Sequence, residues 1–165
     1  MGGHSAGWKY WRLFIIVAAV VAADQATKVI VIDNVPLFSR IEVIPGLFNI
    51  THIQNPGGAF GFLAGHSARM RQVLFVAVAG LAIALICYYY VRTPVGYRLF
   101  SAALALVLGG AVGNLIDRLR FGTVVDFLDV YVNDLHWPAF NIADSAITIG
   151  IVIFVYHMVF KKMPD

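Results

Sequence analysis

Apolar positions fall into four long runs, and the polar positions gather between them. The first run follows Trp8-Lys9-Tyr10-Trp11-Arg12, an aromatic and basic group of the kind that settles at a membrane interface. It spans residues 11–32, interrupted only by Arg12 and by Asp24, Gln25, Thr27 and Lys28. As a helix this run reaches about 33 Å, enough to cross a hydrocarbon core of about 30 Å. The basic start and Val21-Ala22-Ala23 imitate a cleavable signal peptide, but the continuation through Val29–Ile32 argues for a retained span. Asp24 and Lys28 sit one helical turn apart with the acid first, the favourable order for a pair on one face. Met1–Gly7 is a polar, glycine-containing leader outside this span.

The second run, 73–91, has no charge, and Tyr88–Tyr90 at its end predict an interfacial belt. The third, 99–118, carries Gly109 and Gly113, small residues one turn apart that let another helix approach closely. The last covers 140–160 and ends at Lys161-Lys162. Two polar stretches separate these runs on one side of the membrane. In 33–72, Ile41–Ile44 and Leu47–Ile53 flank Pro45-Gly46 and read as two short strands around a turn. Asn55-Pro56-Gly57-Gly58-Ala59-Phe60-Gly61 then permits tight turns through which main-chain groups can approach a peptide. The stretch 119–139 reads as a loop returning to the membrane. The pattern predicts a mainly α membrane protein, residues 1–165 forming a single integral membrane domain. Its four transmembrane helices carry a small extracytoplasmic β-element between the first and second.

Composition agrees: 60% of the 165 residues are hydrophobic and 13% charged, where a soluble domain carries about 25% charge. The net charge of +3 is small, and its basic residues lie at the ends of the apolar runs, which suits membrane orientation better than nucleic acid. With an even number of spans both termini share a side. Lys9, Arg12, Arg92, Arg98, Lys161 and Lys162 on that side outnumber Arg40, Arg69, Arg71, Arg118 and Arg120 on the other, which places the termini inside. The single cysteine, Cys87, reads as a buried small apolar residue.

The stretch from Asn114 to Ser145, joining the end of the third run to the head of the last, carries Asp117, Asp126, Asp129, Asp134 and Asp144. Asp126 in Val124-Val125-Asp126-Phe127 and Asp144 at the head of the last run have apolar neighbours, where an ionisable group is costly and marks function. Antiparallel helices return both to one membrane edge. Two adjacent carboxylates share a proton, so one can take a proton from water while the other donates to a scissile carbonyl. Which is the base is not fixed, because the proton belongs to the pair. Asn114, Asp117 and Arg118 share one helical face, and Asn141, Asp144 and Thr148 another. Arg118 is expected to pair with Asp117 or to bind substrate carbonyls, and Asp129 and Asp134 to be solvated loop charges. His4, His52, His66, His136 and His157 show no compact metal-ligand spacing, and no nucleophile-elbow or phosphate-loop motif occurs. No metal and no cofactor is therefore expected. The alternative to a protease is a proton-coupled small transporter with Asp24, Asp117 and Asp144 as a carboxylate relay. A third reading is a non-catalytic membrane scaffold.

The set Asp24-Gln25-x-x-Lys28, Asn55-x-Gly57-x-Ala59-Phe60, Gly113-Asn114-x-x-Asp117-Arg118, Val124-Val125-Asp126-Phe127 and Phe140-Asn141-x-Ala143-Asp144-Ser145 resembles bacterial lipoprotein signal peptidase, signal peptidase II. The resemblance runs from about Leu13 to Phe160. It implies an aspartyl endopeptidase of the inner membrane with both termini cytoplasmic and its active site near the extracytoplasmic surface. Asp126 and Asp144 would be the catalytic dyad, with Asn55, Gly57, Asn114, Asp117, Arg118 and Asn141 supporting it or binding substrate. It gives Asp24 and Lys28 a structural role. The implied substrate is a prolipoprotein whose cysteine already carries a diacylglyceryl group, cut just before that cysteine. The implied partners are that substrate and membrane lipids, with the chain acting as a monomer. Pro56 departs from the family's usual residue and removes a backbone donor beside Asn55.

Overall fold

The computed structural model describes residues 3–57 and 67–160. In chain order the elements are α1 (Gly3–Asn34), β1 (Arg40–Ile44), β2 (Phe48–Asn55), α2 (Ala68–Arg92), α3 (Arg98–Phe121), β3 (Val124–Val132), β4 (Leu135–His136) and α4 (Ile142–Phe160). All four helices are long and apolar enough to cross a membrane. The bounds of α1, α2 and α3 exceed their apolar runs because polar residues finish the ends, whereas α4 begins inside its run, after Asn141. Ser67 caps α2 by accepting the Met70 N–H at 3.2 Å, so that helix starts ahead of residue 73. Gly122, left-handed at φ 75°, ends α3. Part of the expected leader is helical, since α1 begins at Gly3.

The helices alternate in direction, and α3 is the central one, touching α1, α2 and α4. At one end of the bundle, Lys9 in α1 donates to the carbonyls of Val91 and Thr93 at 3.1 and 2.7 Å, satisfying the end of α2. Tyr90 donates its hydroxyl to the Lys9 carbonyl at 2.6 Å and is buried with Phe100, Leu104 and Ala105. Tyr88 and Tyr89 are exposed as an interfacial belt requires, but Tyr90 belongs to the core. Cys87 is exposed on α2, contrary to the expectation of burial. The residue is small and apolar, and a helix with one contact partner turns most such residues toward lipid.

Close approach of the helices depends on glycine. A Cβ on Gly109 would meet the Val20 side chain of α1 at 2.8 Å, and one on Gly113 would meet the Asp24 carboxylate at 2.7 Å. Between them Gly110 faces α4, where a Cβ would run into the Ala143 carbonyl oxygen. Gly150 returns the contact from α4, its Cβ position 2.8 Å from the Ala103 carbonyl oxygen. The glycine pair read from the sequence is thus the α1 face of α3, and Gly110 opens the α4 face.

The sheet has order β1-β2-β3-β4, all neighbours antiparallel. The two strands expected before α2 are β1 and β2, and the stretch expected as a returning loop supplies β3. Pairing of β2 with β3 includes a bulge that sets Thr51 and His52 against Phe127. Phe127 packs with Val31 and Val35 at the end of α1, joining the sheet to the bundle. His52 Nδ1 donates to the Val35 carbonyl at 2.8 Å across the same junction.

Gly110→Ala should lower thermal stability in detergent by about 1–3 kcal/mol, because a backbone oxygen cannot move aside. Gly80→Ala, where nothing lies within 4 Å of the added carbon, should leave the midpoint unchanged or raise it. Thermal unfolding of the two purified variants distinguishes these outcomes.

Candidate active site

The polar residues of three helices and two strands meet at the end of the bundle opposite Tyr90. Asn141 stands just before α4 and caps it reciprocally. Its side-chain oxygen accepts the Asp144 N–H at 2.9 Å, while Asp144 accepts the Asn141 N–H at 3.3 Å. The local sequence Asn-x-x-Asp therefore fixes Asp144 in the first turn of α4, where the helix dipole favours an acid. Asp126 lies on β3 and is buried, 2% exposed. It accepts from Asn141 Nδ2 at 2.8 Å and from Asn55 Nδ2 at 2.9 Å. Asn141 thus bonds both carboxylates.

Asn114 of α3 completes the arrangement. Its Nδ2 donates to Asp144 at 2.8 Å, and its oxygen accepts from Asn141 at 3.2 Å and from the Lys28 ammonium at 3.1 Å. Asn55 reaches Asp126 from the end of β2, and its oxygen accepts the Gly57 N–H at 2.8 Å. Gly57 has φ +80°, which a residue with a side chain rarely adopts. The rest of the expected Asn55–Gly61 loop, Gly58 to Gly61, lies outside the described residues. Beside Asp144 opens a groove of about 550 Å³ lined by Trp137, Pro138, Ala139, Phe140, Ser145, Thr148 and Ile149. This apolar groove leads onto a carboxylate, the layout of a pocket that takes an apolar ligand and fixes it with few polar groups.

Burial, the largest cause, pushes the Asp126 carboxyl up from 3.8 to about 6. The charge of Asp144 adds to that rise, while hydrogen bonds from Asn55 and Asn141 and the charge of Lys28 oppose it. A buried carboxyl with a second carboxylate beside it, both held by amide donors, can share a proton and activate a water.

A family profile described as signal peptidase (SPase) II matches residues 16–160. The chain belongs to the signal peptidase II family. Curated relatives named lipoprotein signal peptidase include that of Desulforapulum autotrophicum, 54% identical over 93% of this chain and 95% of that protein. The one from Syntrophus aciditrophicus is 50% identical over 91% of this chain and 94% of that protein. A solved bacterial membrane enzyme, determined in meso at 1.9 Å, superposes with a TM-score of 0.81 at 32% identity, covering 91% of this chain and 94% of that one. The family is one of membrane-spanning aspartic peptidases, so this chain is a multi-pass membrane hydrolase.

Within this signal peptidase II fold several sequence expectations need correction. Asp126 was expected on a loop and sits on a strand, because β3 pairs with a partner far back in the chain. Asp117 pairs with Lys28 at 2.7 Å rather than with Arg118, since α1 presents its ammonium directly to that face of α3. The Arg118 guanidinium lies over the Phe75 ring at 5.3 Å and feels the charges of Asp144, Asp126 and Asp117. Asp129 is not solvated. It is buried on β3, where burial tends to raise its carboxyl, but hydrogen bonds from His136 and Asn49 outweigh this and leave it below the usual range. Those bonds measure 2.8 Å each. Asp134 is exposed as expected. The sequence reading missed Gln25, whose amide lies 3.1 Å from Asp24 and 2.9 Å from Asp117. Its place between Asp24 and Lys28 in the first motif was the available signal.

Because the Asp126 carboxyl is raised, the folded chain holds a proton there that the unfolded chain has released between pH 3.8 and about 6. Stability therefore falls as pH rises through that window, by on the order of 3 kcal/mol from this group. Asp126→Asn should abolish this contribution, giving a variant whose stability relative to the parent grows from pH 4 to pH 6.5. Denaturation in detergent at the two pH values measures it.

Proposed function

We propose that this chain is an aspartyl endopeptidase that removes signal peptides from diacylglyceryl-modified prolipoproteins, using Asp126 and Asp144 as its catalytic pair. The observation that carries the reading is the joint hold of Asn141 on both carboxylates, in a chain that belongs to the signal peptidase II family. In this mechanism the ionised member of the pair takes a proton from water. The oxygen attacks the scissile carbonyl, and the protonated member donates to the carbonyl oxygen. Collapse of the tetrahedral intermediate breaks the C–N bond: the member that took the water proton passes it to the leaving amine of the lipidated cysteine, and the other recovers a proton from the hydroxyl. Asn114 and Asn55 keep the carboxylates in place, and Arg118 supplies positive charge facing the substrate.

A substrate anchored by its acyl chains keeps its scissile bond at headgroup level. A dyad at the end of the helices meets that bond there, and the groove beside Asp144 is suited to receive the apolar segment. The excess of basic residues on the terminal side supports an inner-membrane orientation with both termini cytoplasmic and the dyad toward the extracytoplasmic surface. Asp126, Asp144 and their amide partners all come from one chain, which supports action as a monomer.

Asp126→Asn and Asp144→Asn should each stay folded and lose at least about a hundredfold in turnover, the scale of a lost proton-transfer group. The assay is cleavage of a diacylglyceryl-modified prolipoprotein by the purified protein in detergent or liposomes. Near-normal turnover in either variant would rule out the dyad. Proton flux in liposomes that depends on Asp24 or Asp144 would support the transporter in its place.

A further inference from the structure

Behind the dyad lies a second set of charged groups, fully enclosed: Asp24 is 0% exposed, Asp117 1% and Lys28 2%. The Lys28 ammonium uses each of its donors. It reaches Asp24 Oδ2 at 2.9 Å, Asp117 Oδ2 at 2.7 Å and Asn114 Oδ1 at 3.1 Å. Each carboxylate then grips one backbone amide. Asp24 accepts the N–H of Ala143 at 3.0 Å, and Asp117 accepts the N–H of Val125 at 3.1 Å. Those two residues immediately precede Asp144 and Asp126 in the chain.

We infer that Lys28, Asp24 and Asp117 form a positioning device that sets the placement of the two catalytic aspartates relative to each other. This rests on the reading of Asp126 and Asp144 as the catalytic pair. Asp144 belongs to α4 and Asp126 to β3, and the two amides are gripped by carboxylates from α1 and α3. Lys28 joins those carboxylates through a single ammonium, so the two catalytic backbones are referred to one point. The same ammonium fixes Asn114. With its oxygen held by Lys28, the amide can present only its NH₂ to Asp144, where it donates at 2.8 Å. Gly113 leaves the space that the Asp24 carboxylate occupies, and Gln25 bridges the two acids from the other side. A purely structural ion pair needs no such correspondence with the residues next to the dyad. Burying two acids and one base is also a costly way to hold helices together, since an apolar contact would serve.

The test uses Lys28→Met, Asp117→Asn and the double variant Asp24→Asn/Lys28→Met, which keeps the net charge of the cluster. Each is purified in detergent, checked by thermal unfolding, and assayed for kcat and KM on a diacylglyceryl-modified prolipoprotein. Positioning predicts that folded variants lose roughly a hundredfold in kcat, the cost of a small misplacement of reacting groups, with KM unchanged. Near-parental kcat in any folded Lys28 variant overturns the assignment, as does a loss confined to KM. If no variant folds, the cluster is a stability element and the assignment is again overturned. Asp126→Asn and Asp144→Asn run alongside. Activity in those two defeats the dyad itself, whereas their inactivity beside a fully active Lys28→Met defeats the positioning role alone.

Discussion

A carboxylate at the rim of an apolar bundle has little water to turn to and must find its donors in the protein. That constraint shapes the site. Asp126 and Asp144 take their hydrogen bonds from Asn55, Asn114 and Asn141, and these amides come from β2, the end of α3 and the cap of α4. Amides suit the task because each brings two donors and an acceptor without adding charge. A cation in their place would hold both acids ionised and oppose the sharing of a proton that the proposed mechanism requires. The Lys28 ammonium touches Asn114 instead and is turned toward Asp24 and Asp117, and the Arg118 guanidinium lies over the Phe75 ring.

The helices come close enough for these short side chains to meet because α3 carries glycine on two faces. Gly109 and Gly113 admit α1, and Gly110 admits α4, with Gly150 returning the favour from the other helix. Between helices in lipid the driving force is packing rather than exclusion of water, so such close backbone contact is where stability is found. The apolar cluster of Tyr90, Phe100, Leu104 and Ala105 closes the opposite end. One end of the bundle is thus packed for stability and the other is built of polar pairs.

The spans were legible in the sequence because hydropathy over a membrane thickness is a strong local signal, and Asp126 and Asp144 stood out against apolar neighbours. What escaped was non-local. Val124–Val132 is buried on both faces over its first half, so it shows no alternation, and its partner β2 lies some seventy residues earlier. Asp117 has Arg118 beside it in sequence but Lys28 beside it in space. Tyr90 resembled its interfacial neighbours Tyr88 and Tyr89 until the Lys9 carbonyl supplied a reason for it to turn inward. Asp129 looked like a loop charge because Asn49 and His136, which satisfy it, are brought to it only by strand pairing.

The bulge at Thr51 and His52 gives the strand pairing a further meaning. Beyond it Ile53 stands opposite Asp126 and Asn55 opposite Val124, which brings the Asn55 amide diagonally onto the carboxylate. Side chains on a strand alternate, so removing one residue from the bulge would rotate Asn55 away and leave Asp126 short of a donor. The turn at Pro45–Leu47 is anchored as well, since the Leu47 carbonyl accepts the Tyr131 N–H at 2.9 Å and the Gly46 N–H donates to the Tyr131 hydroxyl at 3.0 Å. Length variation among homologous chains should therefore be absent between Ile50 and Asn55, so that the hairpin serves as a fixed ruler for the amide that reaches Asp126.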